Sequence, residues 1–420
     1  MSFISRILIS KFVAFVSLLL LLLLVPVLPS LAAPVRTGAE LLSDTDFARL
    51  SGIKFGLITN QTATIKDRHL LAAMQSSGVS PAVIFVPEHG LKGEQEDGVR
   101  IADTTEQGII VRSLYGGTKK PRKEDLAELQ LLVFDIQDIG ARFYTYISTL
   151  GLVMQATAEE GLPLLILDRP NPLGGDYLSG FVSRVSPPSF TAFYPIPIAH
   201  GMTVGELARM IKGEKMLPGL DKLDLSVMKM TGWERRMRWP DTGLAWTATS
   251  PNIPDYRTAL LYAGVGLLEG TKANEGRGTL TPFKLAGYPN LDGERLAREL
   301  NSENLPGLGI VATSYTPRSI PGKSSSPKHR DKKISGVSIT LLDHSIVQPV
   351  ETGVALLSAI FRQLPAKERE KFFHNGINDL GGNDLLRKAI ERGMPANEIT
   401  RLWEAEVKQF RLLRTPYLLY

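Results

Sequence analysis

Four apolar runs, each the length of a strand and each ending in polar residues, govern what this chain can fold into. They are "KFGLITN" (54–60), "PAVIFVPEHG" (81–90), "LQLLVFDIQDIG" (129–140) and "LPLLILDRPNP" (162–172), separated by stretches of helical spacing near 66–77, 123–128 and 146–160. A strand apolar on both faces needs cover on both sides, and an intervening helix lets successive strands run parallel. The pattern predicts an α/β fold built on a Rossmann-like, doubly wound, mostly parallel sheet. Further along, helical stretches near 292–302, 350–364 and 397–410 alternate with strand-like "LGIVATSY" (308–315) and "GVSITLLD" (336–343), which predicts a second, smaller α/β domain. With 420 residues, 43% of them hydrophobic, the chain is long enough for both cores. The expected division is 38–265 for the Rossmann-like catalytic domain and 266–420 for a smaller C-terminal domain closing a cleft.

The first 33 residues read separately. Arg6 and Lys11 precede an apolar stretch from Phe12 to Val27, and "LPSLAAP" follows with small residues at Ser30 and Ala32, the layout of a secretory signal peptide cut near Ala32 or Ala33. The protein is therefore expected to be exported, to a periplasm or cell-wall space, and to meet a membrane only through an uncleaved leader. The absence of cysteine excludes disulfides and thiol nucleophiles. Loss of Arg6 and Lys11 with the leader takes the formal charge from +5 to +3. That small excess is scattered along the chain, so no nucleic-acid partner is expected.

In doubly wound sheets ligands bind outside the carboxyl ends of the strands. The four run ends here carry Asn60, then Glu88 and His89, then Asp135 and Asp138 with Arg142 nearby, then Asp168, Arg169 and Asn171. No G-x-G-x-x-G follows the first run and no G-x-x-x-x-G-K-[ST] occurs, which argues against a nucleotide. The six histidines show no H-E-x-x-H spacing, and no G-x-S-x-G elbow is present, so neither a metal, another cofactor nor a serine nucleophile is expected. In "HGMTVGELARMIKGE" (200–214), Thr203 and Glu206 stand at capping-box spacing, which makes Glu206 a helix cap rather than a catalyst. The loop-rich span 230–282 holds Trp233, Trp239, Trp246 and "EGTKANEGRGTLTPF", and "PRSIPGKSSSPKHRDKK" (317–333) reads as a mobile basic loop.

What remains is carboxylates with aromatic and arginine neighbours, the set that glycoside cleavage uses: a proton-donating carboxyl, a group that stabilises or attacks the oxocarbenium-like centre, and rings to hold the sugar. Glu88, mounted behind Pro87 at a strand end in partly apolar surroundings, is the candidate general acid. Glu275, on the glycine-flanked loop "NEGRG", can come close to a ligand.

Seven segments in order, "GLITNQT", "FVPEHGLKG", "FDIQDIGARFYTYISTL", "LDRPNPLGG", "IPIAHGMTVGELA", "SPNIP" and "LEGTKANEGRGT", resemble the NamZ-type exo-β-N-acetylmuramidases, a family of peptidoglycan hydrolases. The resemblance runs from about residue 54 to the final "YLLY". It implies an exo-acting glycoside hydrolase that releases N-acetylmuramic acid from the non-reducing ends of peptidoglycan fragments. Glu88 would be the acid/base, the active-site tyrosine would be Tyr144 or Tyr146, and Glu275 would stand at the cleft. Candidate substrate contacts are Asn60, His89, Asp138, Arg142, Asp168, Arg169, Asn171, His200, Asn252, Glu269 and Arg277. The lactyl carboxylate of N-acetylmuramic acid calls for a cationic fork, for which Arg142, Arg169 and Arg277 are the candidates, Arg142 first. The alternative is a non-catalytic protein that binds peptidoglycan fragments in the same cleft.

Overall fold

The computed structural model describes residues 34–303 and 305–420; the leader lies outside them. Seven strands make the central sheet: β1 (Phe55–Thr59), β2 (Val83–Val86), β3 (Thr104–Glu106), β4 (Ile109–Ser113), β5 (Leu131–Asp135), β6 (Pro163–Leu167) and β7 (Asp224–Met228). Their order is β3-β4-β2-β1-β5-β6-β7, and every neighbouring pair is parallel except β3 with β4. Because β2 and β5 flank β1 on opposite sides, the winding direction reverses at the centre of the sheet, the place where such folds open a crevice.

Alternation along the strands explains the apolar runs. Ile58, Phe85, Leu132, Phe134, Leu164 and Ile166 face one side and pack with Ile147, Leu150 and Met154 of the helix Tyr146–Glu159 and with Leu207 and Ile211 of the helix Val204–Gly213. Phe55, Leu57, Val133, Leu165 and Leu167 face the other side, against the helices Gly38–Ser43 and Leu70–Ser76. Both faces are covered, as the sequence requires. The Val204–Gly213 helix begins with the expected capping box: Thr203 accepts from the Glu206 N–H, and Glu206 accepts from the Thr203 N–H.

A three-stranded antiparallel sheet, β8 (Leu285–Tyr288), β9 (Leu308–Tyr315) and β10 (Ile334–Leu341), follows in the order β8-β10-β9. The span expected to be loop-rich contains two short 3-10 turns and an α-helix, Tyr256–Val265, buried from Thr258 onward. Its apolar residues run around the whole circumference, so it shows none of the one-sided spacing that marks a helix in sequence. It touches the helix Pro349–Gln363 backbone to backbone: a Cβ on Gly264 would stand 1.6 Å from the Pro349 carbonyl oxygen, and one on Gly353 would stand 2.3 Å from that of Gly264. From Val35 to Tyr420 the chain forms one compact unit.

Candidate active site

Beyond the carboxyl end of β2 lies a cavity of about 570 Å³, lined by residues from three regions: 88–97 with 115–119, 143–145 with 190–191, and 250–277 with 323–328. That volume suits a ligand of one or two sugar rings.

Glu88 stands in the cavity wall two residues past β2. Its Oε1 accepts the Gly98 N–H at 2.9 Å and its Oε2 accepts the Thr145 hydroxyl at 2.6 Å. Thr145 immediately precedes the 14-residue helix Tyr146–Glu159 and uses its hydroxyl on Glu88 rather than on a helix N–H. His89 has a left-handed φ of 71°, which turns the chain and brings its Nδ1 to 2.7 Å from the Gln95 carbonyl. Its Nε2 lies 3.8 Å from Asp97. Tyr115 lines the same cavity, and burial followed by the Glu88 charge pushes its phenol well above the ordinary range.

The two candidate tyrosines separate cleanly. Tyr146 donates to the Thr249 carbonyl at 2.6 Å and lies outside the cavity lining. Tyr144 lines the cavity, and its buried hydroxyl makes no hydrogen bond to the described protein. The rings meet edge to face at 4.8 Å, which holds Tyr144 in place.

Opposite Glu88 is a charge network. Arg277 donates to Glu269 Oε1 through Nε at 3.0 Å and Nη2 at 2.7 Å, pairs with Asp97, and lies 3.5 Å from Glu275. Burial works against the Arg277 charge, but Glu269, Asp97 and Glu275 together raise its pKa above the ordinary value. Burial also raises the Glu269 carboxyl, with Arg277 opposing. Lys328 binds Glu275 at 2.9 Å and the carbonyls of Leu268 and Ala273. The glycines of "NEGRG" are used here: Gly276 and Gly278 are left-handed (φ 86° and 81°), and a Cβ on Gly278 would meet Pro327 at 2.5 Å. The stretch 317–333, expected to be mobile, is pinned over the cavity. Glu96 accepts the Gly322 and Ser325 N–H groups, and Asn252 donates to the Lys323 carbonyl.

Several sequence candidates are not brought to the cavity. Arg142 is fully buried, donates to the carbonyls of Phe181, Ile196 and Leu380 at 2.8, 2.9 and 2.6 Å, and lies outside the cavity lining. Arg169 forms a two-point ion pair with Asp135 and also binds the Thr64 carbonyl. Asp168 accepts from Thr203, Gly205 and Tyr420. Asn60, Asp138 and Asn171 each accept a backbone N–H two residues on, from Thr62, Gly140 and Leu173. His200 accepts from the Met202 N–H, and burial lowers its pKa to about 3, so its imidazole is neutral. Conversely, the sequence reading missed Thr145, Tyr115, Asp97, Lys119, Tyr262 and Lys328, all in the lining. They follow no local pattern. Among the described residues no group of three or more His, Asp or Glu side chains is placed to hold a metal ion.

Carboxyl groups and phenols around an open, sugar-sized cavity move protons to and from oxygen, beside charges able to stabilise a cationic centre. That is the chemistry of glycosidic bond cleavage, and the protein is a glycosidase. Its sequence matches the family described as exo-β-N-acetylmuramidase NamZ, the N-terminal part over residues 55–257 and the C-terminal part over 260–420. It is 37% identical over 391 residues to the peptidoglycan β-N-acetylmuramidase NamZ of Bacillus subtilis (strain 168), covering 92% of this chain and 91% of that protein. Crystal structures of two DUF1343-family proteins from Bacteroides fragilis NCTC 9343 superpose with TM-scores of 0.83 and 0.76 at 31% and 32% identity, each covering 92% of this chain and 99% of the other. The chain belongs to the NamZ family of exo-β-N-acetylmuramidases.

Proposed function

We propose that the protein releases N-acetylmuramic acid from the non-reducing ends of peptidoglycan glycan fragments, with Glu88 as the acid/base. The observation that carries this reading is the mount of Glu88: a cavity-wall carboxyl gripped by Gly98 and Thr145, across from a charge network and beside the unpartnered Tyr144 hydroxyl. The name of the Bacillus subtilis relative, a peptidoglycan β-N-acetylmuramidase, supports the substrate class. Glu88 gives its proton to the glycosidic oxygen as the bond to C1 breaks, and water supplies both the hydroxyl that ends on C1 and the proton that replaces the one given up. In this reading the Tyr144 hydroxyl orients the group that attacks C1. The clasp of Glu96 on residues 322 and 325 bounds the cavity, which suits a chain end rather than the middle of a glycan.

Replacing Glu88 by Gln keeps the shape and removes the transferable proton. Turnover of a MurNAc-GlcNAc disaccharide is expected to fall ~10²–10⁴-fold. Turnover near the wild-type rate would refute the assignment, and binding without turnover by the wild-type protein would favour the non-catalytic alternative. The same reading places the mature protein outside the cytoplasm, where its polymer is. N-terminal sequencing of the exported form should give Ala33 or Pro34 as the first residue, and an intact leader on a cytosolic protein would contradict it.

A further inference from the structure

Four cationic side chains border the cavity, Lys119, Arg277, Lys323 and Lys328, and they are not equivalent. Arg277 is held by three carboxylates, and Lys328 by Glu275 and two carbonyls. All three Lys328 N–H directions are taken, and the Arg277 charge is already balanced by the carboxylates around it. Lys119 has no carboxylate within ion-pair distance among the described residues. Its ammonium sits over the Phe190 ring, 3.9 Å from the centroid, and 5.5 Å from the Tyr115 centroid. A cation held on ring faces is positioned without being neutralised. Tyr115 and Glu88 line the same cavity, and the Glu88 charge acts on the Tyr115 phenol, so the ring platform under Lys119 borders the space in which the glycosidic oxygen is met. Lys323 also lacks a carboxylate partner, but no ring holds its ammonium, and its neighbours Gly322 and Ser325 wrap around the Glu96 charge.

We propose that Lys119 reads the carboxylate that distinguishes N-acetylmuramic acid from N-acetylglucosamine. This rests on the muramidase reading of the cavity and adds to it a residue that selects the substrate. The ligand chemistry is a carboxylate borne on the 3-oxygen of the sugar. In a glycan stripped of peptide it is the lactyl carboxylate; in a peptide-bearing glycan that group is an amide, and only carboxylates further along the peptide remain. The inference commits Lys119 to the first of these, because the Tyr115–Phe190 platform is close to the bond being cleaved.

The test has two readouts on the intact mature protein. Calorimetric binding compares N-acetylmuramic acid, its lactyl methylamide, and its L-alanine amide, which retains a carboxylate displaced outward by one residue. Turnover compares the 4-nitrophenyl β-glycosides of the first two. Wild type should favour the free lactyl carboxylate over the methylamide about 5- to 10-fold in both readouts, a preference that weakens with added salt. Lys119→Met should bring the ratio close to one, and Lys119→Arg should retain most of it. An unchanged ratio in Lys119→Met, or no preference in the wild type, overturns the inference. A wild-type preference for the alanine amide that Lys119→Met abolishes also overturns it, by assigning the lysine to the peptide. Carboxylate-dependent binding that needs Lys119, with no hydrolysis of either glycoside, would sink the muramidase reading and leave the lysine's role intact.

Discussion

Arg277 is the residue whose removal tests the charge network most directly. Its side chain is 15% exposed and faces Glu269, Asp97 and Glu275, whose side chains are 24%, 38% and 2% exposed. Arg277→Met keeps the length and leaves three carboxylates to find other partners. Asp97 can turn to water, and Glu275 keeps Lys328 at 2.9 Å. Glu269 is left with the Tyr262 hydroxyl at 3.4 Å. Breaking a buried ion pair from one side costs ~3–5 kcal/mol, and the partial exposure of two of these acids points to the lower end. At roughly 2 °C per kcal/mol for a large chain, the melting temperature should fall by about 6 °C at pH 7.5. The sign of the pH dependence follows from Glu269. Burial already holds its folded-state pKa above its ordinary value, so the folded state binds more protons than the unfolded one between those two values, and stability rises as pH falls through that window. Removing Arg277 removes the influence that opposes this rise, which confines the penalty to neutral pH. Calorimetric melts at pH 5 and pH 7.5 should show the variant's deficit shrinking to about half at the lower pH. Equal deficits at both values, or none at either, would refute the account of a carboxylate group held together by one guanidinium.

Tyr144→Phe deletes a hydroxyl that makes no protein hydrogen bond; stability should change by less than about 1 kcal/mol while kcat falls roughly 10- to 100-fold, as read from melts and steady-state rates. Arg142→Lys should do the reverse, lowering stability by ~2–4 kcal/mol through lost carbonyl bonds and leaving the preference for muramic over glucosamine residues unchanged. Asp138 is buried, and that burial raises its pKa to about 7 against the pull of the Gly140 N–H. The unfolded state therefore loses its proton first, and the contribution of Asp138 to stability declines from about pH 4 to pH 7. Asp138→Asn should flatten that decline, which denaturant titrations across the window would measure.

The central sheet was legible because its strands are buried on both faces and so read as continuous apolar runs. The strands at its margins were not. β4 mixes buried and exposed positions and β7 is nowhere fully buried, so neither reads as a long run apolar on both faces. β3 and β4 are joined through Gln107 and Gly108, both left-handed (φ 50° and 82°), a turn whose only sequence trace is one glycine. The cavity-lining contacts of Asp97, Lys119 and Lys328 come from loops that are far apart in the chain, and no local spacing encodes such meetings.

The rim of polar strand ends was the most productive reading and also the most misleading one, and the reason lies in side-chain length. Asn60, Asp138 and Asn171 each close a turn by accepting the N–H of the residue two places on. Short Asx side chains do this readily, and loops crossing a sheet end need such acceptors because their backbone groups would otherwise be buried unpaired. Asp135 and Arg169 neutralise each other across adjacent strands for the same reason. Glu88 does not close such a turn. Its partners, Gly98 and Thr145, are 10 and 57 residues away, so its position is set by tertiary structure rather than by a turn. Among polar residues at one sheet edge, those bonded within two residues hold loops together. The carboxylate gripped from a distance, with a cavity in front of it, is the one available for chemistry.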